Sequence, residues 1–154
     1  MGARFRVLIV GASRCAWADE AVADWTRRMK RYGGVESDDV RAEPFRGEVD
    51  RVRDAEAERL LAKVSARERL VALDERGERL DSHGFAAMVD AGRQHGGVVF
   101  GVGGPYGHGA AVRAGAWRTV RLSDLVLNHE VARVVLYEQL YRALTLLEGV
   151  PYHH

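Results

Sequence analysis

Cysteine is almost absent: Cys15 is the one thiol in a chain of 154 residues. A lone thiol excludes an intramolecular disulfide and fits a reducing compartment, so the cytoplasm is the expected location. A surplus of either charge is missing too, since 23 Lys and Arg face 22 Asp and Glu. Near-neutrality removes any global signal for nucleic acid or membrane and leaves recognition to local patches. No apolar run approaches the ~20 residues of a membrane span, and no signal-peptide pattern opens the chain. No cluster of His, Cys and carboxylates has metal-ligand spacing, so no metal is expected. Repeats and low-complexity tracts are lacking, and the length suits one domain over residues 1–154 with a sizeable core.

Glycine, by contrast, is concentrated in one place. The stretch Val98-Val99-Phe100-Gly101-Val102-Gly103-Gly104-Pro105-Tyr106-Gly107-His108-Gly109 climbs from an apolar run into a loop with five glycines and one proline. A continuous apolar run reads as a buried parallel strand, and clustered glycines mark backbone that turns sharply or approaches a ligand closely. Ligands of open α/β sheets sit beyond the carboxyl ends of the strands. This loop is therefore the expected floor of a small-molecule site.

The remaining elements alternate. Residues 5–10 form a strand ended by Gly11, and Ala18, Val22, Trp25, Met29 and Tyr32 then recur at helical spacing. The opposite face of that helix carries Arg27, Arg28, Lys30 and Arg31, which suit either a solvated face or an RNA contact. Residues 40–45 offer an edge strand interrupted by Pro44, and residues 49–64 a charged helix. A strand over 70–74 is closed by the turn Glu75-Arg76-Gly77, and Ser82 is the expected N-cap of a helix faced by Phe85, Met88 and Val89. After the glycine loop come a short helical piece near 110–114 and a strand over 117–122. A second loop, Ser123-Asp124-Leu125-Val126-Leu127, leads to Asn128, which caps a long helix ended by Gly149 and Pro151. Such alternation predicts an α/β domain with a mainly parallel sheet and helices on both faces. The last helix is apolar on more than one side, so it is either deeply inserted in the core or covered by a second subunit through residues such as Val135, Leu136 or Leu140.

The glycine loop fails the tests for common phosphate binders. A dinucleotide fingerprint needs a third glycine where Tyr106 stands and belongs after the first strand, and a P-loop needs Lys and Ser or Thr after Gly107. A Ser nucleophile lacks its sharp-turn context. What remains is a ligand held mostly by main-chain groups. An enzyme and a non-catalytic nucleotide- or RNA-binding module both fit that description.

Leu73-Asp74, Gly103-Gly104-Pro105-x-Gly107, the run Leu122–Leu127, His129, Arg133, the segment Glu138-Gln139-Leu140-Tyr141-Arg142-Ala143 and the closing Tyr152-His153 together resemble the RlmH family of SPOUT-class methyltransferases, over the whole chain. The resemblance implies a trefoil knot in the C-terminal half, a homodimer, and S-adenosylmethionine as methyl donor. It implies that the acceptor is N3 of a pseudouridine in large-subunit ribosomal RNA, with the assembled ribosome as the expected substrate. By the same analogy Leu73, Gly103, Gly104, Leu122, Ser123, Asp124, Leu125, Val126 and Leu127 hold the donor. His129, Arg133, Arg142 and His154 serve the RNA, while Tyr152 and His153 stand at the reacting base.

Imide N–H chemistry agrees with the last assignment. The acceptor nitrogen must lose a proton as it attacks, and histidine is readily tuned to take one near neutral pH. Three positions depart from the family's habit: Tyr106 replaces a small, acidic or amide residue, Asn128 a proline, and His154 a Lys or Arg. These departures are similar to the chloroplast-type members, which makes the plastid stroma the alternative location.

Overall fold

The computed structural model describes residues 5–11 and 15–154. Its strands are β1 (Phe5–Val10), β2 (Val35–Val40), β3 (Arg69–Arg79), β4 (Val98–Val102) and β5 (Arg118–Arg121). They form one sheet in the order β2-β1-β4-β3-β5, and every pairing is parallel. The helices are α1 (Ala16–Met29), α2 (Val49–Ala62), α3 (Ser82–Arg93), α4 (Ala110–Gly115) and α5 (His129–Glu148).

Strand alternation divides the core. Val7 and Ile9 of β1, with Phe100 and Val102 of β4, face a layer built from α1, α3 and α5. Leu8 and Val10 face the other way, with Val99, toward Ala57 and Leu60 of α2 and Val112 of α4. Both central strands are thus buried on two faces, which is why they read as unbroken apolar runs.

Three expectations about local structure change. The strand expected over 40–45 lies instead at 35–40, a segment that buries only Val35 and Val40. The sequence VESDDV shows no apolar alternation because it is an edge strand held by main-chain pairing with β1. The turn at Glu75-Arg76-Gly77 does not end β3, which runs on to Arg79. Val120 of β5 sits in register with both Leu73 and Glu78, so residues 74–77 bulge outward between them. The N-cap of α3 is Asp81, whose carboxylate accepts from the Gly84 amide at 2.7 Å. Ser82 is the first helical residue, and its hydroxyl donates to Gln139 of α5 at 3.0 Å.

The long helix α5 proves to be a core helix. It lies between α1 and α3 on one sheet face, and Leu136, Tyr137, Leu140 and Leu144 are buried within this chain. Leu136 and Leu140 therefore cannot meet a second subunit, and Val135 is only half-buried. Burial pushes the Tyr137 hydroxyl above its usual range, and that hydroxyl is hydrogen-bonded to Ser37 of β2. Gly149 ends the helix at φ +68°, and the Val150 amide returns to the Thr145 carbonyl at 2.9 Å.

Candidate functional site

A cleft of about 600 Å³ opens at the carboxyl ends of β3, β4 and β5. Three segments form its walls: the β3 bulge, the glycine loop, and the run from Leu122 to His129.

Two glycines shape the glycine loop in different ways. Gly107 takes φ +76°, and its amide closes a tight turn onto the Gly104 carbonyl at 2.9 Å. Gly103 has no unusual φ. A Cβ there would lie 3.1 Å from the Gly107 carbonyl carbon and 3.2 Å from the His108 nitrogen, so a side chain would crowd the loop backbone.

His108 is buried in the wall of the cleft, and its Nε2 donates to the Gly101 carbonyl at 3.0 Å. Burial holds this imidazole below its ordinary range, hence neutral, and the Nε2–H tautomer satisfies the carbonyl. Arg113 of α4 donates to the His108 carbonyl at 2.9 Å and lies 3.5 Å from Asp74 of the bulge. Arg53 of α2 donates to the Tyr106 carbonyl at 2.7 Å. The loop is thus pinned from two helices.

The bulge needs Gly77. A Cβ there would stand 2.5 Å from the Val120 nitrogen, so only glycine lets β3 and β5 approach while Asp74, Glu75 and Arg76 swing into the cleft. Arg121 locks the arrangement by donating to the Gly77 carbonyl at 2.8 Å.

The residues expected around the donor converge here with one exception. Leu73, Gly103, Gly104, Leu122, Ser123, Leu125, Val126 and Leu127 all line the cleft. Asp124 does not: it pairs with Arg79 at 2.7 Å and Arg121 at 3.3 Å, tying the loop to β3 and β5. Leu125 and Val126 are 77% and 79% exposed, so the cleft's apolar lid lies open to water.

His129 lines the cleft from the start of α5, with Nε2 3.3 Å from Glu130. Asn128 caps that helix through the Glu130 amide at 2.8 Å. Arg133, one turn on, is buried and bridges Asp19 of α1 at 2.7 Å and Glu130 at 3.2 Å. It joins two helices and does not reach the cleft.

The tail forms a separate cluster on the far half of α5. The Tyr152 hydroxyl donates to Glu138 at 2.9 Å, and Arg142 pairs with the same carboxylate. Burial and the Glu138 carboxylate push the Tyr152 phenol above its usual range. Tyr152 packs edge-on against Tyr141 at 4.9 Å and Trp25 at 6.2 Å. Arg142 lies 3.1 Å from Nδ1 of His153, which therefore accepts and leaves the ring's proton on Nε2. His153 also meets His83 at 5.0 Å, while His154 is exposed. A tail expected to leave the helix freely instead docks on it, because Glu138 and Arg142 offer paired charges to its two rings. Glu138 and Arg142 stand about 14 and 20 Å along the helix from His129, and no residue of the tail lines the cleft of its own chain.

Sequence reasoning passed over Arg53, Arg113 and Arg121. Each acts on a main-chain carbonyl, 53 residues away for Arg53, 44 for Arg121 and five for Arg113, and no side-chain pattern marks such a pairing. Among the described residues no group of three His, Cys, Asp or Glu is placed to hold a metal ion, and no helix is long and apolar enough to cross a membrane.

Residues 3–153 match the family described as "Predicted SPOUT methyltransferase". The chain is 42% identical over 153 residues to the ribosomal RNA large subunit methyltransferase H of Pelobacter propionicus, covering 98% of this chain and 99% of that one. It is 41% identical to the protein of the same name from Gemmatimonas aurantiaca, covering 97% and 99%. Among solved structures, a probable methyltransferase from Bordetella pertussis shares the fold with a TM-score of 0.58 at 18% identity, covering 92% of this chain and 95% of that one.

Proposed function

This chain belongs to the SPOUT methyltransferase family, an S-adenosylmethionine-dependent enzyme of large-subunit ribosomal RNA acting on N3 of a pseudouridine, and we propose how its residues divide that work. The observation that carries the assignment is the cleft at the ends of β3, β4 and β5, where Gly103 and Gly104 present bare backbone between apolar walls. Its volume of about 600 Å³ suits a nucleoside-sized ligand. Leu73, Leu122, Leu125, Val126 and Leu127 would cover the faces of the donor's adenine, and the loop amides and carbonyls would meet its edge. When bound, the donor supplies an electrophilic methyl group.

The remaining work falls to this chain's own groups. The acceptor imide must give up its N3 proton, and we assign that proton to Nδ1 of His153, which Arg142 releases as it turns to the target base. Arg142, beside the same ring, would stabilise negative charge spreading onto the flanking carbonyls. Tyr152 would pack against or hydrogen-bond the target base, with His129 and His154 meeting the RNA. Arg133 supports this face from beneath by fixing α5 to α1.

Cleft and tail meet only between subunits in this reading, so the working form is a homodimer. Trp17 at the start of α1 and Val131 at the start of α5 are 54% and 37% exposed, and with Leu125 and Val126 they provide the apolar surface a second copy would cover. The partner's tail would then complete the site beside His129. The protein would act where ribosomes are, in the cytoplasm.

Incubation of the purified protein with methyl-labelled donor tests the reading, with free ribosomal RNA and intact ribosomes as alternative acceptors. Label is expected in one large-subunit pseudouridine, and more from ribosomes than from free RNA. A protein that binds the donor yet labels neither would be a binding module.

A further inference from the structure

We propose that Phe45 and Tyr106 form a stacking platform for a single-stranded RNA base at the rim of the cleft, an inference that rests on the ribosomal RNA reading. The two rings stack on each other, with centroids 5.6 Å apart and planes 29° from parallel. Phe45 is 52% and Tyr106 37% exposed, so each leaves apolar surface in water. Tyr106 also lines the cleft, which puts the platform beside the reacting centre.

The main chain on either side of the stack is tied to α2. Arg53 fixes the Tyr106 carbonyl at 2.7 Å. Glu56 accepts the Glu43 amide at 3.0 Å, and Arg59 reaches the Arg41 carbonyl at 3.1 Å and pairs with Glu43. These bonds set the loop that carries Phe45. A loop and a ring fixed in advance lose little entropy when a flat partner arrives.

The surrounding charge selects that partner. Arg41, Arg46 and Arg51 are exposed, and none is paired with a carboxylate among the described residues. Glu43, Glu48, Asp50 and Asp54 share the segment, but Glu43 is paired with Arg59 and Asp50 with Arg53, which leaves these three arginines facing Glu48 and Asp54. A second copy of this chain would need a broad apolar face, whereas two rings among arginines suit a base and its phosphates. Aromatic stacking accepts any base, so the platform would position the strand next to the target without reading its sequence.

The test measures binding of a dye-labelled single-stranded oligoribonucleotide by anisotropy at low salt, using the full chain. Phe45→Ala and Tyr106→Ala are each expected to weaken binding between about five- and 150-fold, the range of one lost stacking contact. Tyr106→Phe should keep wild-type affinity, since the ring and not the hydroxyl is used. Phe45→Ala should leave donor affinity by calorimetry unchanged and raise KM for ribosomes more than it lowers kcat. Unchanged oligonucleotide affinity in both alanine variants would overturn the proposal, as would a wild-type chain that does not bind the oligonucleotide. Equal losses in Tyr106→Phe and Tyr106→Ala would overturn it too. Ring-dependent binding by a protein that methylates no ribosome would leave the platform standing and remove the ribosomal reading. Normal methylation with no dependence on the rings would do the reverse.

Discussion

Gly77 and Val120 meet backbone to backbone: a methyl group on Gly77 would lie 2.5 Å from the Val120 nitrogen and 2.6 Å from its carbonyl carbon. The contact lets β5 pair on both sides of the bulge that carries Asp74 into the cleft. Gly77→Ala should therefore cost about 1–3 kcal/mol of stability or more, the usual range for overpacking. It should also loosen the bulge and weaken donor binding. Urea denaturation and calorimetry on one sample would check both, and a variant as stable as wild type would refute the contact.

Gly103→Val should abolish measurable donor binding in a folded protein. The reason is crowding against Gly107 and His108, since Gly103 itself has ordinary φ. Calorimetry decides it, and unchanged affinity would remove this loop from the donor site.

His153→Ala should lower methyl transfer to ribosomes by roughly 10²–10⁴-fold while donor affinity holds, the range ascribed to a positioned acid–base group. Partial recovery at higher pH is expected if the ring takes the N3 proton. Deletion of 152–154 should match that loss and also lower stability, because Tyr152 packs on Trp25 and Tyr141. A truncated protein with wild-type turnover would move the base to His129.

Trp17→Glu and Val131→Glu should convert a dimer to monomers without unfolding, because both side chains are exposed in the single chain. A charge buried without a partner in the interface would be costly. Sedimentation of the wild type as a monomer at micromolar concentration would refute the dimer.

Two buried groups should bend the stability profile in opposite directions. Burial holds His108 below its ordinary 6.5, so its contribution is full above that pH and is lost as pH falls through the lowered value. Burial raises Glu56 above its ordinary 4.5, so its contribution is full below that pH and is lost as pH rises through the raised value. Denaturation midpoints across pH 4–8 should therefore lose their acid-side slope in His108→Asn and their alkaline-side slope in Glu56→Gln. Parallel profiles for all three proteins would contradict both assignments.

How far the sequence could be read depended on whether a residue's role was local. The runs in β1 and β4, the cap at Asn128 and the glycine loop announce themselves because period, cap and turn lie within a few residues. The family resemblance brought together most of the cleft lining, from Leu73 to Leu127. The edge strand β2 was misplaced because its four central residues are polar and only pairing with β1 makes them a strand. Asp124 looked like a ligand-loop residue, yet its partners Arg79 and Arg121 turn it into a brace. The tail's docking depends on Glu138 and Arg142, a helical turn apart, and nothing in Tyr152-His153-His154 itself discloses them.

The strand order also governs when the protein can become active during synthesis. β1, the first strand made, has on one side β4, aligning Phe5 with Val98, and β4 in turn must accept β3. Both neighbours of the central strand thus precede it, and β5 joins last, at the far edge. A nascent chain that has emerged only to α3 holds the β1–β2 pair and an unpaired β3. Closing such distant pairs carries a high loop entropy, so folding is expected to be slow and to finish after the last helix leaves the ribosome.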